Sequence, residues 1–171
     1  MNLSQLNESE YNPHYKQYIL ELGDVDLFKI LNTSSEDLLK TVKDLSEEKL
    51  VFRYDEGKWT IKELVQHLID TERIMSYRAL RFSRNDTTEL SGFNENWYVE
   101  NSNGNDRNFN DLVEEFTSTR QASISLFKSF TNEMLTLSGT ANGSDMTVRA
   151  LGFIIAGHQM HHLKIIKERY L

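Results

Sequence analysis

The chain has 171 residues, 26 acidic against 19 basic side chains, a net charge of −7 and no cysteine. This length suits one domain with a real core, and the acidic balance argues against a nucleic-acid partner, because neutralising phosphate needs clustered Lys and Arg. Without cysteine there are no disulfides, no thiolate metal ligands and no Cys nucleophile.

The beginning of the chain lacks the basic and apolar regions of a signal peptide, and no apolar run approaches the ~20 residues needed to span a bilayer. The expectation is a soluble, cytoplasmic protein with no membrane partner. One Pro and eight Gly favour long regular elements. Residues 1–22 read as a mostly extended or irregular arm, packed through Tyr15, Tyr18 and Leu20, with His14 at the surface. Residues 23–171 read as a single domain.

The first helix is predicted from about Asp24 to Leu45. Phe28, Leu31, Leu38, Val42 and Leu45 repeat in threes and fours, with Ser35 filling one step, the rhythm of a bundle helix. A packed connection carrying Leu50, Phe52 and Tyr54 follows. The second helix has an explicit start: Thr60 as N-cap and Glu63 as its N3 partner form a capping box, and Trp59 and Leu64 sit where a hydrophobic staple would join. Its stripe is Ile61, Leu64, Val65, Leu68, Met75, Ala79 and Phe82, with His67 on the flank beside Leu64 and Thr71. Arg73, Arg78, Arg81 and Arg84 fall on several faces of this helix and read as solvated surface.

Residues 85–107 form a long polar connection without structure of its own, a feature often functional in a compact domain. Phe93, Trp97 and Tyr98 give it an apolar centre, which predicts that it folds over one end of the bundle. The third helix starts near Asn108 and ends near Phe130, with Leu112, Val113, Phe116, Ser123, Phe127 and Phe130 as its stripe. Ala141 to Asp145 reads as a turn.

Thr147 caps the fourth helix, an amphipathic segment with Val148, Leu151, Ile155 and Ile166 along one stripe. Gly152 and Gly157 inside it each cost about 1 kcal/mol relative to Ala, which close helix packing would offset. His158 and His162 occupy the two stripe positions where apolar residues belong, about 40° apart and one turn above the other. Two imidazoles so spaced suit capture of a metal ion by one helix, although His-x-x-x-His also arises by chance and such residues often serve packing alone. The His-Glu-x-x-His protease signature is absent, because Gln159 follows His158. His67 is able to reach sideways between helices and supplies a third ligand. Glu72 and Arg120 fall inside apolar stripes, where unpaired charges are expensive. The simple expectation is that they pair; turned toward the histidines, Glu72 would instead orient one of them or act as a base.

Taken together, Trp59 to His67 followed by Leu68-Ile69-Asp70, Gly92 to Trp97, and His158-Gln159-Met160-His161-His162 resemble three successive motifs of the DinB/YfiT-like superfamily. The resemblance spans about residues 20–170. It implies an all-α, up-down four-helix bundle with a long crossover connection, commonly a homodimer. It further implies a divalent nickel or zinc ion on His67, His158 and His162, with positions left open to water. His161 matches no ligand position but lies about 60° from His158 around the helix, which makes it a candidate for a swapped or proton-handling role. Asn94 stands where many members have Asp. The family includes transferases that use low-molecular-weight thiols such as bacillithiol, and proteins classed as metal-dependent hydrolases. The leading expectation is therefore a metal-dependent S-transferase acting with an external thiol on small electrophilic substrates. The rivals are hydrolysis by metal-bound water, with Glu72, Glu95 or His161 as base, and a bundle without catalysis.

Overall fold

Each long helix begins where a side chain substitutes for a missing backbone partner. The computed structural model describes residues 1–171. The arm is not extended: three short 3-10 turns lead into α1 (Lys16–Leu20), which packs on the last helix. Ile19 is buried there, whereas Leu20, expected to pack, is exposed. Next comes α2 (Leu27–Val42), whose N-cap Asp26 accepts from the amides of Phe28 and Lys29. A short α3 (Glu47–Leu50) precedes α4 (Ile61–Ser83). The predicted capping box closes α4: the Glu63 amide donates to Thr60 Oγ1 at 3.1 Å, and the Thr60 amide donates to Glu63 at 2.8 Å.

The 85–107 connection carries structure that its polar composition concealed. It contains α5 (Glu95–Glu100), capped by Asn94, and a 3-10 turn at Gly104–Asp106. Trp97 and Tyr98 are exposed, and Val99 is the residue that packs inward. Asn105 and Arg107 tie the end of this connection to α4, through Asn105 Nδ2 to Glu63 at 2.7 Å and Arg107 to Gln66 at 2.6 Å.

After α6 (Phe109–Lys128) and the short α7 (Asn132–Thr136), the chain forms a hairpin of β1 (Ser138–Ala141) and β2 (Ser144–Thr147). The expected turn is the tip of this hairpin: Asn142 and Gly143 both have positive φ, 54° and 70°, as a two-residue turn matching strand twist requires. The final helix, α8 (Val148–Ile165), starts on Thr147 as expected and ends in a π-type turn over Ile166–Tyr170. No helix is long and apolar enough to cross a membrane.

Packing between α2 and α6, α6 and α4, α4 and α8, and α8 and α2 closes a ring of four. The sequence neighbours α2 and α4 therefore face each other across the bundle, as do α6 and α8. The last helix is not the one-sided amphipath expected, because residues Leu151 to Gln159 are all buried. A helix apolar on nearly every side belongs in the middle of a protein. Gly152 and Gly157 allow that placement. A Cβ on Gly157 would stand 2.5 Å from the backbone oxygen of Tyr18, so the arm rests directly on α8 at that point.

The apolar interior divides into two clusters. One holds Leu27, Leu31, Met75, Ile124 and Ile155; the other holds Leu38, Leu64, Phe116 and Leu163. Where they meet, all four long helices contribute buried polar groups: Ser34, Glu72, Arg120 and the pair His158 and Gln159. The candidate site lies in this polar layer.

Candidate metal centre

Two helices position three imidazoles. His67 stands in the second turn of α4, 2% exposed, and His158 and His162 stand one turn apart on α8. The Nε2 of His158 lies 3.0 Å from the Nε2 of His67 and 3.0 Å from that of His162. The ring planes meet at 72°, 81° and 89°, so the rings point their edges at one place and do not stack.

Burial holds all three histidines in the neutral form. Loss of solvent pushes His67 down to about 4. Burial, and then the neighbouring imidazoles, hold His158 and His162 well below the usual histidine range. A neutral ring nitrogen offers either one N–H or one lone pair. The Nε2 of His158 therefore satisfies its two close neighbours poorly by hydrogen bonding alone. One cation accepts a lone pair from every ring, and tetrahedral Zn–N bonds of about 2.0–2.1 Å place nitrogens about 3.3 Å apart. The three ligand atoms here lie within 4.8 Å of one another. The donor set fits a divalent transition metal. The buried His162 Nδ1 has no hydrogen-bond partner, so no hydrogen bond at that nitrogen orients the ring, and its neighbours His158 and Trp59 position it.

Aromatic rings close the sides. Trp59 lies 4.6 Å from His67 and 6.3 Å from His162, centroid to centroid. Tyr18 of the arm lies 5.8 Å from His158 and 4.8 Å from His161. His161 itself is half-buried, with its ring 5.3 Å from His162, and burial lowers its pKa as well.

Glu72 pairs with Arg120, which donates through Nε and Nη2 at 2.8 Å each. Arg120 also donates to the Leu31 carbonyl at 2.8 Å and to Ser34 Oγ at 3.2 Å. Ser34 and Gln159 then bond each other through both ends of the Gln159 amide. This chain ends one residue from His158, and Glu72, Arg120 and His158 line the same small enclosed void. The carboxylate is thus held by a guanidinium, in the register-fixing arrangement expected from the stripes. The reading of Arg78 as solvated surface is incorrect: it is 3% exposed and donates to the Ser91 carbonyl at 3.0 Å.

The chain's similarity to known proteins agrees with this geometry. Residues 30–166 match the model of the DinB superfamily. The chain belongs to that superfamily. A protein of Oceanobacillus iheyensis whose name assigns it provisionally to the metal-dependent hydrolases is 28% identical over 144 residues, 81% of this chain and 80% of its own length. The fold is similar to that of YfiT from Bacillus subtilis, described as a probable metal-dependent hydrolase with an unusual four-helix bundle topology. That likeness has a TM-score of 0.76 at 16% identity and covers 95% of this chain and 89% of YfiT.

The sequence reading missed Tyr18 and Tyr170 as parts of the site and took Trp59 only for a staple. Gly157 was the available signal for Tyr18, since a mid-helix glycine marks the close approach of another segment. Nothing local in the sequence points to Tyr170 or to Asn96 of α5, which lie beside His162 only in the folded chain.

Proposed function

We propose that this chain is a metal-dependent enzyme whose ion, zinc or nickel, is held by Nε2 of His67, His158 and His162 and which acts on a small molecule. The observation that carries the proposal is the convergence of three neutral imidazoles, two buried and one half-buried, with two contacts of 3.0 Å between ring nitrogens. When bound, such an ion supplies Lewis acidity and lowers the pKa of a water or thiol in an open position. Trp59 and Tyr18 shield the centre from bulk solvent on two sides, which strengthens charge interactions within it. Glu72 is committed to Arg120, so it holds the bundle and takes no proton from substrate. His161, whose ring lies 5.3 Å from that of His162, is the proton acceptor beside the site.

The names of the relatives favour hydrolysis. The superfamily whose motifs the segments around Trp59 and His158 resemble also includes thiol transferases, and the absence of cysteine means that a thiol such as bacillithiol would come from outside. Elemental analysis of the purified chain beside His67→Ala tests the shared premise. About one zinc or nickel per chain, lost in the variant, is the expected result for a three-imidazole site; no metal after reconstitution with either ion would overturn it. Turnover of activated esters or amides without thiol, abolished by chelation, supports hydrolysis. Turnover of electrophiles only with added thiol supports transfer. His161→Gln should lower kcat and leave metal content unchanged.

A further inference from the structure

A cleft of about 230 Å³ opens beside His162, between the connection that precedes α4, the start of α5 and the end of the chain. Its walls include Tyr54, Trp59 and Tyr170; Lys58 and Asn96 line it as well. These walls are fixed. The rings of Tyr54 and Tyr170 meet edge to face at 5.0 Å, and the Tyr170 hydroxyl donates to the Trp59 carbonyl. Trp59 contacts both His67 and His162, so it links the cleft to the histidine cluster.

The charge of the cleft is opposite to that of the molecule. The chain carries 26 carboxylate side chains, yet no Asp or Glu lines this space, and Lys58 does. Asp55 and Glu56 precede Lys58 in the chain without lining the space, and of the next carboxylates along the chain Glu63 pairs with Arg53 and Glu47 with Lys62. Lys58 is exposed and takes part in neither pair. The volume is below the range of about 300–1,000 Å³ that holds drug-sized ligands, and it suits a single ring. Flat aromatic walls favour a flat aromatic guest, through edge-to-face and offset contacts worth about 0.5–1.5 kcal/mol beyond area burial.

We propose that this cleft is the substrate pocket of the histidine centre and that it takes a single-ring aromatic compound bearing one carboxylate. The ring lies between Trp59 and the two tyrosines, the carboxylate pairs with Lys58, and the opposite end of the molecule faces His162. The proposal rests on reading His67, His158 and His162 as metal ligands.

Trp59 serves as its own reporter. Trp97 is 60% exposed, so Trp97→Phe leaves Trp59 as the one indole without disturbing the interior. The probes are 4-nitrobenzoate, a carboxylate that quenches indole fluorescence, and its neutral counterpart 4-nitrobenzamide, each titrated into the zinc-loaded variant. Saturable quenching should appear with both, at least fivefold tighter for the carboxylate. Lys58→Met should bring the two affinities to within twofold while zinc content stays the same. Equal affinities before that substitution, or quenching that does not saturate in protein holding its zinc, would overturn the cleft and leave the metal reading intact. A carboxylate preference that survives Lys58→Met and disappears on zinc removal would place the anion on the metal and overturn the role of Lys58. Protein that holds no zinc but keeps a Lys58-dependent preference would support the cleft and overturn the metal reading.

Discussion

Replacing Arg120 by Met is the most direct way to ask what the Glu72–Arg120 pair does. Both partners are almost fully buried, at 3% and 1% exposure, and the guanidinium makes close contacts to Glu72, Leu31 and Ser34. Met fills a similar apolar volume, so the loss of packing is small. The main consequence is a buried carboxylate without its cation, which costs about 3–5 kcal/mol. Against a total stability of about 5–15 kcal/mol for a domain, that shift is easily measured by urea unfolding followed by circular dichroism. The double variant Glu72→Leu/Arg120→Met removes both charges and should recover to within about 1.5 kcal/mol of the parent, since apolar replacement of a buried pair is often neutral. If His67, His158 and His162 hold a metal as proposed, it should also retain one metal per chain, because these histidines stand on other turns and their rings are packed by Trp59 and Tyr18. A cost below about 1 kcal/mol for the single variant, or simple addition of the two single costs, would refute the account of the pair as a mutually dependent structural unit. Loss of turnover in a double variant that folds and holds its metal would instead make Glu72 part of the chemistry.

Gly157→Ala should weaken the arm's contact with α8: helix propensity improves by about 1 kcal/mol, but overpacking against the Tyr18 backbone costs about 1–3 kcal/mol. Limited proteolysis should cut within residues 1–22 sooner in this variant; an unchanged cleavage rate would argue against the contact. Glu10 accepts from Arg149 at 2.6 Å and from Thr147 at 2.9 Å, and these bonds, opposed by burial, lower its pKa from 4.5 to about 2. The stabilisation is present above pH 4.5 and disappears as pH falls toward 2; after allowance for solvent screening it amounts to about 1–2 kcal/mol. Urea titrations should therefore show Glu10→Gln less stable than the parent at pH 7 and equal to it near pH 2; a gap of the same size at both would contradict this. Metal at 100 times its Kd should stabilise the fold by about 2.7 kcal/mol, so EDTA should lower Tm in the parent and leave His67→Ala unmoved.

The parts of this molecule that were legible in the sequence depend on neighbours in the chain. The Thr60–Glu63 box, the Thr147 cap and the spacing of His158 and His162 each describe contacts within one helical turn, where residue type and geometry are coupled directly. The pairing of Glu72 with Arg120 followed from a different rule, the cost of burying a lone charge. What was hidden depends on how segments meet. Ring order around a bundle is set by which faces pack, and the stripes of α2 and α4 are equally apolar whether the helices are adjacent or opposed. The burial of α8 on nearly every side follows from its position in that ring and from the arm laid over Gly157. The hairpin escaped because its strands are four residues each, Ser-Gly-Thr-Ala and Ser-Asp-Met-Thr, too short and too polar to show alternation. Arg78 looked like surface because nothing in its sequence neighbourhood announces that the 85–107 connection comes back over it.

The division of labour between helices and connections bears on how the protein can change over evolutionary time. All three histidines project from two long helices whose backbones are locked into the centre of the bundle. Lys58, Trp59 and Asn96 instead belong to a connection or to a short helix within one, and Tyr54 and Tyr170 to the segments flanking the long helices. Substitutions or length changes in those peripheral segments can remodel the cleft while the arrangement of the three histidines stays as it is. Such a chain can diversify in specificity without rediscovering its chemistry.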